Sequence, residues 1–348
     1  MIQLPLYFMD SLTQIVLGAA CGEVALGKKI GNRAMLFGAF GGTIPDLDVM
    51  IGSLLFDFEI DQLAFHRGFM HSIVFACIAS VVMGYLFYRL YNSGKRRSTT
   101  FLKDWVWLFF PSIFTHPILD SFTPYGTQLF VPFTDYRVAF NSIAVVDPMY
   151  TIPFLFCMIV TLFLKRTNPN RMKWTRVGIY LSSAYLLFTW GNKHYMDTVF
   201  KEAFEKAAIP YHRFSTQPTI LNTFLWYGVA ETDTDYQLAF YSLFDQNDIP
   251  VKLTSIPKNH DLLDINHPDL KTLRWFSQNF FTVQFIDTTG QLIYRDLRYP
   301  LIREDDVNSS IFSYELVRKG DRWDIKPLFD GAISKDDLNQ FIKRIFGR

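Results

Sequence analysis

Three stretches of this chain, residues 69–91, 148–164 and 177–190, are almost wholly apolar and contain no acidic side chain. A soluble fold has no place for runs of this length and purity. The first is long enough to cross a bilayer; the other two need their flanking residues or a thin membrane. A chain in hydrocarbon must satisfy its own backbone, so these stretches are expected to be helices. Three weaker segments join them. Residues 105–122 carry Pro111, His116, Pro117 and Asp120, and residues 12–26 contain Gln14 and Glu23. Residues 34–56 are interrupted by Gly41-Gly42-Thr43-Ile44-Pro45-Asp46. Such a break is tolerated at membrane depth only where the backbone lines a cavity or packs on protein. The expectation is about six membrane segments, the first two broken or partly re-entrant.

The charges are sorted by loop. Overall the chain balances, 34 Lys+Arg against 33 Asp+Glu, but residues 1–194 hold 16 basic and 11 acidic side chains while residues 195–348 hold 18 and 22. In the first half, 13 of the 16 basic residues lie between segments 1 and 2, 3 and 4, or 5 and 6. Nine of the 11 acids, Asp10 among them, fall in the other loops. By the positive-inside rule the basic loops are cytoplasmic, so the N-terminus, the acidic loops and everything beyond segment 6 face outward. A multi-pass protein of the inner (plasma) membrane with an extracytoplasmic C-terminal domain is therefore expected. The start has neither a positive n-region nor a small-residue cleavage site, so no cleavable signal peptide is expected. With 19% charged and 17% aromatic residues, the composition excludes a disordered, collagen-like or coiled-coil chain. No basic excess or basic–aromatic stripe marks a nucleic-acid binder. Cys21, Cys77 and Cys157 sit in apolar runs without CxxC spacing and read as small buried hydrophobes.

The polar residues on the outward side are unusual ones. Segment 2 breaks at Asp46-Leu47-Asp48; segment 3 opens with His66-Arg67-Gly68-Phe69-Met70-His71-Ser72; segment 4 ends in His116-Pro117-Ile118-Leu119-Asp120; segment 5 opens at Asp147. Three histidines and at least four carboxylates thus meet at one depth, where ionisable groups are costly and default to function. Imidazole and carboxylate together favour a divalent ion, Zn first, with Mn or Fe(II) as alternatives, and one or two ions are compatible with so many donors. His116 and Asp120 are four apart and share a helix face. His66 and His71 are five apart, roughly 140° around an ideal helix, so one of them, His66, is placed in the loop before it. Arg67 and Arg137 are the arginines of this half on the outer side; each reads equally as a clamp for a substrate phosphate or carboxylate and as a partner of Asp57, Glu59, Asp61 or Asp135.

The motifs TIPDLDV (residues 43–49), HRGFMHS (66–72), HPILD (116–120) with TPYGT (123–127), and the opening MDSLT (9–13), resemble the LexA-regulated, membrane-bound metal-dependent hydrolases of the YdjM type over residues 9–160. The resemblance implies an inner-membrane protein with a hydrolytic metal site whose ligands here are Asp46, Asp48, His66, His71, His116 and Asp120. Relatives often have a His where this chain has Gln14. Beside the ligands, Glu23, Asp147 and Arg67 are the catalytic candidates, Glu23 being equally readable as a hydrogen-bonded group inside the bundle. The expected function is activation of water against an ester or phosphoester of a membrane lipid or lipid-linked substrate. The alternative is a non-enzymatic membrane protein, a transporter or structural protein, whose His/Asp cluster is an ion relay or structural metal site. No nucleic-acid partner is expected, and protein partners are left open: the acidic, Tyr- and Trp-bearing second half could cover the site, bind substrate or bind a partner.

From residue 195 the texture changes. An amphipathic helix is expected over 198–208. Strands follow over 221–231, 236–243, 251–256, 280–288, 292–298, 311–319 and 322–327, with turns at Thr289-Gly290 and Lys319-Gly320-Asp321 and helices over 269–279 and 335–346. His260 and His267 read as surface residues. The fold class is a multi-pass helical membrane domain, 1–194, followed by a smaller α+β domain with antiparallel sheet, 195–348.

Overall fold

The structure is a computed structural model that describes residues 3–246, 251–304, 306–328 and 334–347, with side chains from residue 11 onward, so that Asp10 lies outside the described side chains. The chain divides into two units. One comprises residues 1–54, 65–140 and 145–189, the other residues 55–64, 141–144 and 190–348.

The first unit is helical. In order it contains α1 (Gln3–Ile30), α2 (Asn32–Thr43), α3 (Leu47–Leu55), α5 (Ile73–Tyr91), α6 (Leu102–Asp120), α7 (Pro148–Phe163) and most of α8 (Asn170–Lys206), while α4 (Glu59–Phe65) lies almost entirely in the second unit. Among the described residues two spans, Asn32–Leu55 and Ile73–Tyr91, are long and apolar enough to cross a membrane, against about six segments expected; Pro148–Phe163 is apolar but shorter. The expected break in segment 2 is the turn at Ile44-Pro45-Asp46 between α2 and α3, where Pro45 cannot donate to the helical ladder. Cys157 is buried as expected, but Cys77 is exposed on the outer side of α5, where the bundle has no neighbour to cover it.

α1 and α2 pack through glycine. A Cβ on Gly18 would collide with the carbonyl oxygen of Gly38, one on Gly22 with that of Ala34, and one on Gly42 with that of Gln14. Hydrocarbon around a membrane helix is as apolar as its side chains, so close backbone approach and dispersion replace the hydrophobic effect as the cohesive term. This approach fixes the height at which α2 ends beside α1. On the other side of α6, Trp105 and Phe109 are fully buried among Phe37, Phe87 and Tyr91.

The second unit carries two four-stranded antiparallel sheets. The first has the order β1 (Arg213–Pro218), β2 (Leu225–Glu231), β3 (Asp235–Ser242), β4 (Leu253–Pro257); the second has β5 (Phe281–Ile286), β6 (Gln291–Asp296), β7 (Ser313–Lys319), β8 (Arg322–Leu328). Gly290 (φ 68°) and Gly320 (φ 65°) supply the left-handed turn residues of the two expected hairpins. α9 (Pro268–Phe276) packs on the second sheet, and α10 (Lys335–Ile345) sends Phe341 and Ile345 against the first. α4 belongs here as well. Its Ile60 is fully buried in the core of the second sheet with Leu270, Leu273 and Phe281; Asp61 forms a bidentate pair with Arg322 (2.9 Å each); the Glu59 amide donates to Asp324 (2.8 Å).

Three expectations are corrected. Residues 177–190 and most of 198–208 are not separate helices but parts of α8, which runs for 37 residues with no proline to interrupt it. The strand β1 was not expected, because Arg213, Ser215 and Gln217 leave it too polar to read as one. His260 and His267 are half-buried rather than free at the surface: His260 stacks on Phe281 and bonds its carbonyl (2.9 Å), and His267 caps α9.

Candidate metal centre

The centre is assembled from three breaks in helix. The turn between α2 and α3 carries Asp46 and places Asp48 in the first turn of α3, where a helix N-terminus favours a carboxylate. His71 closes a single 3-10 turn (Phe69–His71), and Ser72 caps α5 by accepting from the Phe75 amide (3.0 Å). Both His66 and His71 therefore precede the helix, where only His66 was expected to do so. His116 and Asp120 come from the last turn of α6. The loop that follows is laced to the histidine segment: the Gln128 amide donates to the Arg67 carbonyl and the Ile73 amide to the Leu129 carbonyl, both at 3.0 Å.

Four donor atoms face one another. Nε2 of His71 lies 3.4 Å from Asp46 Oδ1 and 3.4 Å from Asp120 Oδ2; Nε2 of His116 lies 3.3 Å from Asp46 Oδ1 and 3.4 Å from Asp120 Oδ2. Nε2 of both rings and Oδ2 of Asp120 are buried and make no hydrogen bond. Orphaned buried atoms of this kind are costly unless something binds them. Donors about 3.3–3.4 Å apart are spaced as two ligands of one ion at bond lengths of about 2.0–2.1 Å and near-tetrahedral angles. These residues fit a divalent metal, and Asp46, His71 and His116 alone already form a group able to hold one.

The orientation of each donor is enforced from behind. Nδ1 of His116 donates to the Gly42 carbonyl (2.6 Å). A carbonyl only accepts, so a proton is on Nδ1, and in the neutral imidazole that binds a metal the lone pair is on Nε2. The glycine contact between α1 and α2 thus sets the rotation of a ligand on α6. Asp48 stands behind His71 as a charge partner, its Oδ2 lying 3.0 Å from Nδ1 without hydrogen-bond geometry, while its Oδ1 pairs with His66 Nδ1 (2.9 Å) and its Oδ2 accepts from the Arg67 amide (2.9 Å). Gln14 donates to Asp120 Oδ1 (2.8 Å), leaving Oδ2 for the centre. A metal-ligating histidine with its far nitrogen on a carboxylate or carbonyl is the usual arrangement.

The sequence comparisons fit this picture. A family model described as YdjM inner membrane protein matches residues 9–196, more than half of the chain and every residue of the centre. The chain belongs to the YdjM family. It is 30% identical over 154 residues to the uncharacterized protein YfhP of Bacillus subtilis (strain 168), covering 42% of this chain and 44% of that protein. It is 32% identical over 108 residues to the inner membrane protein YbcI of Escherichia coli (strain K12), covering 30% of this chain and 57% of that protein. The chain thus spans about half the length of the curated relatives it matches. No solved structure matches it.

Of the remaining candidates in this YdjM-family chain, Arg67 is at the centre. Its backbone is left-handed (φ 56°), its Nε lies 3.2 Å from Asp120 Oδ2, its Nη1 donates to Thr123 (2.9 Å), and its guanidinium stacks on Tyr125 (4.7 Å). The two others stand elsewhere. Glu23 lies nine residues past Gln14 on α1, about 13 Å of helix rise, and both its oxygens are held by Arg171 (2.7 and 2.6 Å). Arg171 also binds the Thr161 and Leu164 carbonyls and Asn32, so this buried pair ties α8 to α1, α2 and α7. That placement matches one of the two readings of Glu23, a hydrogen-bonded group inside the bundle. Asp147 caps α7, accepting from the Met149 and Tyr150 amides and the Tyr185 hydroxyl. Its oxygens are spent on that cap, and its hydrogen bonds lead away from the centre. The sequence reading missed Gln14 as an orienting group and Tyr125 as a platform for arginine; the signals were an amide inside an apolar segment and a phenol inside the TPYGT motif.

Proposed function

We propose that this YdjM-family protein is a multi-pass inner-membrane, metal-dependent hydrolase with Asp46, His71, His116 and Asp120 as metal ligands, acting on an ester or phosphoester of a lipid or lipid-linked substrate. The observation that carries this reading is the set of four His–Asp donor pairs 3.3–3.4 Å apart, with both imidazole Nε2 atoms buried and without a hydrogen bond. A divalent ion bound there supplies a Lewis acid and water of lowered pKa. The chain itself supplies the rest. Asp48 and the Gly42 carbonyl hold the imidazole protons away from the centre, Gln14 and Arg67 fix the Asp120 carboxylate, and Asp46, 24% exposed where the other three ligands are at 0–1%, marks the open side. Of the motif's six ligand candidates, Asp48 and His66 are then the backing carboxylate and its second imidazole. Zn is the first choice of ion for this donor set, with Mn and Fe(II) behind it.

The sorted loop charges support an outward-facing centre and an extracytoplasmic C-terminal domain. α8, at about 55 Å, is long enough to cross a bilayer and continue beyond it. A structural or relay metal site is the competing reading, supported by the burial of His71, His116 and Asp120; the exposure of Asp46 favours the hydrolase, since a structural site is closed. Elemental analysis of the detergent-purified protein beside His116→Ala and Asp120→Ala tests the ligands. About one equivalent of metal in the wild type and its loss in both variants is expected, and full loading in the variants overturns the assignment. Hydrolysis of a panel of carboxylic and phosphate esters, abolished by chelator and restored by Zn or Mn, tests the activity. A reporter fused to the C-terminus tests orientation, a cytoplasmic signal overturning the outward-facing site.

A further inference from the structure

The two ends of the first sheet differ in chemistry. Where β2 turns into β3 the chain reads Thr232-Asp233-Thr234; Asp233 pairs with His212, and Glu231 pairs with Arg213 and Lys258 beside it. That end is charged. The opposite end carries the loop between β1 and β2, the chain after β3 and the last turn of α10. Its outward side chains include Leu221, Phe244 and Phe346, the last two 51% and 70% exposed. They belong to one surface. Phe224 lies against Phe244 and Phe244 against Phe346, with ring centroids 5.5 and 6.2 Å apart, and the Ser242 hydroxyl donates to the Ile345 carbonyl.

α10 extends this surface, because it is apolar over a wider arc than the sheet covers. Phe341 and Ile345 pack on the first sheet. Leu338, Ile342 and Phe346, each four residues from the next and so on one stripe, stay outside, Leu338 at 50% exposure. On the helix circumference Lys335 and Lys343 border that stripe. An apolar stripe bordered by lysines, whose stems can snorkel, is the pattern of a helix lying in a membrane interface.

α8 decides what this end faces. The helix enters the sheet domain at Trp190, and the Asn192 amide donates to the Thr223 carbonyl (2.7 Å), in the same loop that carries Leu221. Further on, Phe200 and Phe204 cluster with Trp226 and Ala230, and Phe204 reaches Tyr211 and Phe214 at the start of β1, toward the charged end. Before Trp190 the helix exposes Tyr180, Leu187 and Phe188. In a chain of an inner-membrane family, an apolar exterior of that kind belongs against lipid. Trp190 then stands where aromatic side chains mark the membrane–water boundary. The apolar end of the sheet is thus the end nearest to the point where α8 leaves the bilayer.

We propose that this end of the first sheet, with the Leu338–Ile342–Phe346 stripe of α10, rests in the surface of the bilayer that α8 crosses. Anionic headgroups meet Lys335 and Lys343, and the apolar side chains enter the boundary between headgroups and acyl chains by about 5–10 Å. The proposal rests on α8 crossing the membrane and is independent of the metal centre.

The test uses the full-length protein in vesicles of phosphatidylcholine and phosphatidylglycerol, with Cys21, Cys77 and Cys157 replaced by alanine. Nitroxide labels are placed singly on Ile342→Cys, Phe244→Cys, Leu187→Cys and Asp233→Cys. Power-saturation EPR compares their access to oxygen, which enters lipid, and to a water-soluble nickel chelate. Labels at 342 and 244 are expected to favour oxygen at a depth of about 5–10 Å, the label at 187 to lie deeper, and the label at 233 to favour nickel. Adding Leu338→Glu to the Phe244→Cys protein is expected to shift that label toward nickel. A label at 342 as open to nickel as the one at 233 overturns the proposal. Spin–spin broadening at 342 with both reagents excluded also overturns it, a second copy of the chain then being the occupant. A label at 187 open to nickel takes α8 out of the bilayer and overturns the proposal together with its premise, leaving the metal centre untouched.

Discussion

Oδ2 of Asp48 stands 3.0 Å from Nδ1 of His71, on the opposite side of the ring from the nitrogen that meets Asp46 and Asp120. One carboxylate thereby orients His71, pairs with His66 and receives the Arg67 amide. Removing such a backing group typically costs 10–100-fold in metal affinity. Asp48→Ala is expected to weaken metal binding by about that factor, measured by chelator competition, while Asp46→Ala and Asp120→Ala abolish stoichiometric loading. Equal effects at Asp46 and Asp48 would show that both bind the ion directly.

The seat of Gly42 is shared by packing and chemistry. Its Cβ position is occupied by the Gln14 carbonyl, and its own carbonyl takes the His116 proton. Gly42→Ala must push α2 away from α1, an overpacking change of about 1–3 kcal/mol. It is expected to lower the melting temperature in detergent and also the metal affinity. Gly191→Ala on α8, where a Cβ meets open space, is expected to do neither.

Glu23 and Arg171 are both buried and bonded through two oxygens. Breaking a buried pair from one side leaves a bare charge and costs about 3–5 kcal/mol. Arg171→Ala and Glu23→Gln are expected to destabilise the bundle strongly in thermal denaturation, while whatever fraction remains folded keeps its metal stoichiometry and affinity. A Glu23→Gln protein of wild-type stability that has lost only hydrolysis would restore the general-base role.

Glu231 and His260 in the sheet domain both favour the folded state at higher pH. Burial pushes Glu231 up, but the hydrogen bonds from Lys258 and Arg213 outweigh it and hold the carboxyl below its ordinary value. Burial pushes His260 down, below the ordinary imidazole value, with Lys258 and Arg274 adding to it. Both groups bind protons more readily when the chain is unfolded. Their stabilisation is present above the unfolded-state values, roughly 6.5 for His and 4.3 for Glu, and is lost as pH falls through the folded ones. Protection factors of β2–β4 in the full chain, corrected for the intrinsic pH dependence of amide exchange, are expected to fall below about pH 6, first through His260 and then through Glu231. His260→Gln removes the upper part of that dependence.

The helical segments were legible in the sequence because apolarity in long runs has few readings, and Pro45 marked its own break. The gathering of His71, His116 and the carboxylates was legible from loop charge alone. The roles within the cluster were not. Asp46 and Asp48 flank one leucine, and only the first turn of α3 decides that Asp48 turns behind His71. Glu23 and Arg171 are 148 residues apart, and no local pattern joins them. α4 was hidden most deeply: Ile60 between Glu59 and Asp61 reads as an acidic loop, since its partners Arg322 and Asp324 come more than 260 residues later.

That loan of α4 makes the two units inseparable by a single cut. The chain leaves the bundle after α3, gives Ile60 and Asp61 to the second sheet, and re-enters one residue before His66. A protein shortened after residue 189 would keep every metal donor yet release an unsatisfied loop between Asp48 and His66, the two residues that hold each other in place. The interval from 55 to 64 is counted with the sheets although the chain on either side of it is counted with the helices.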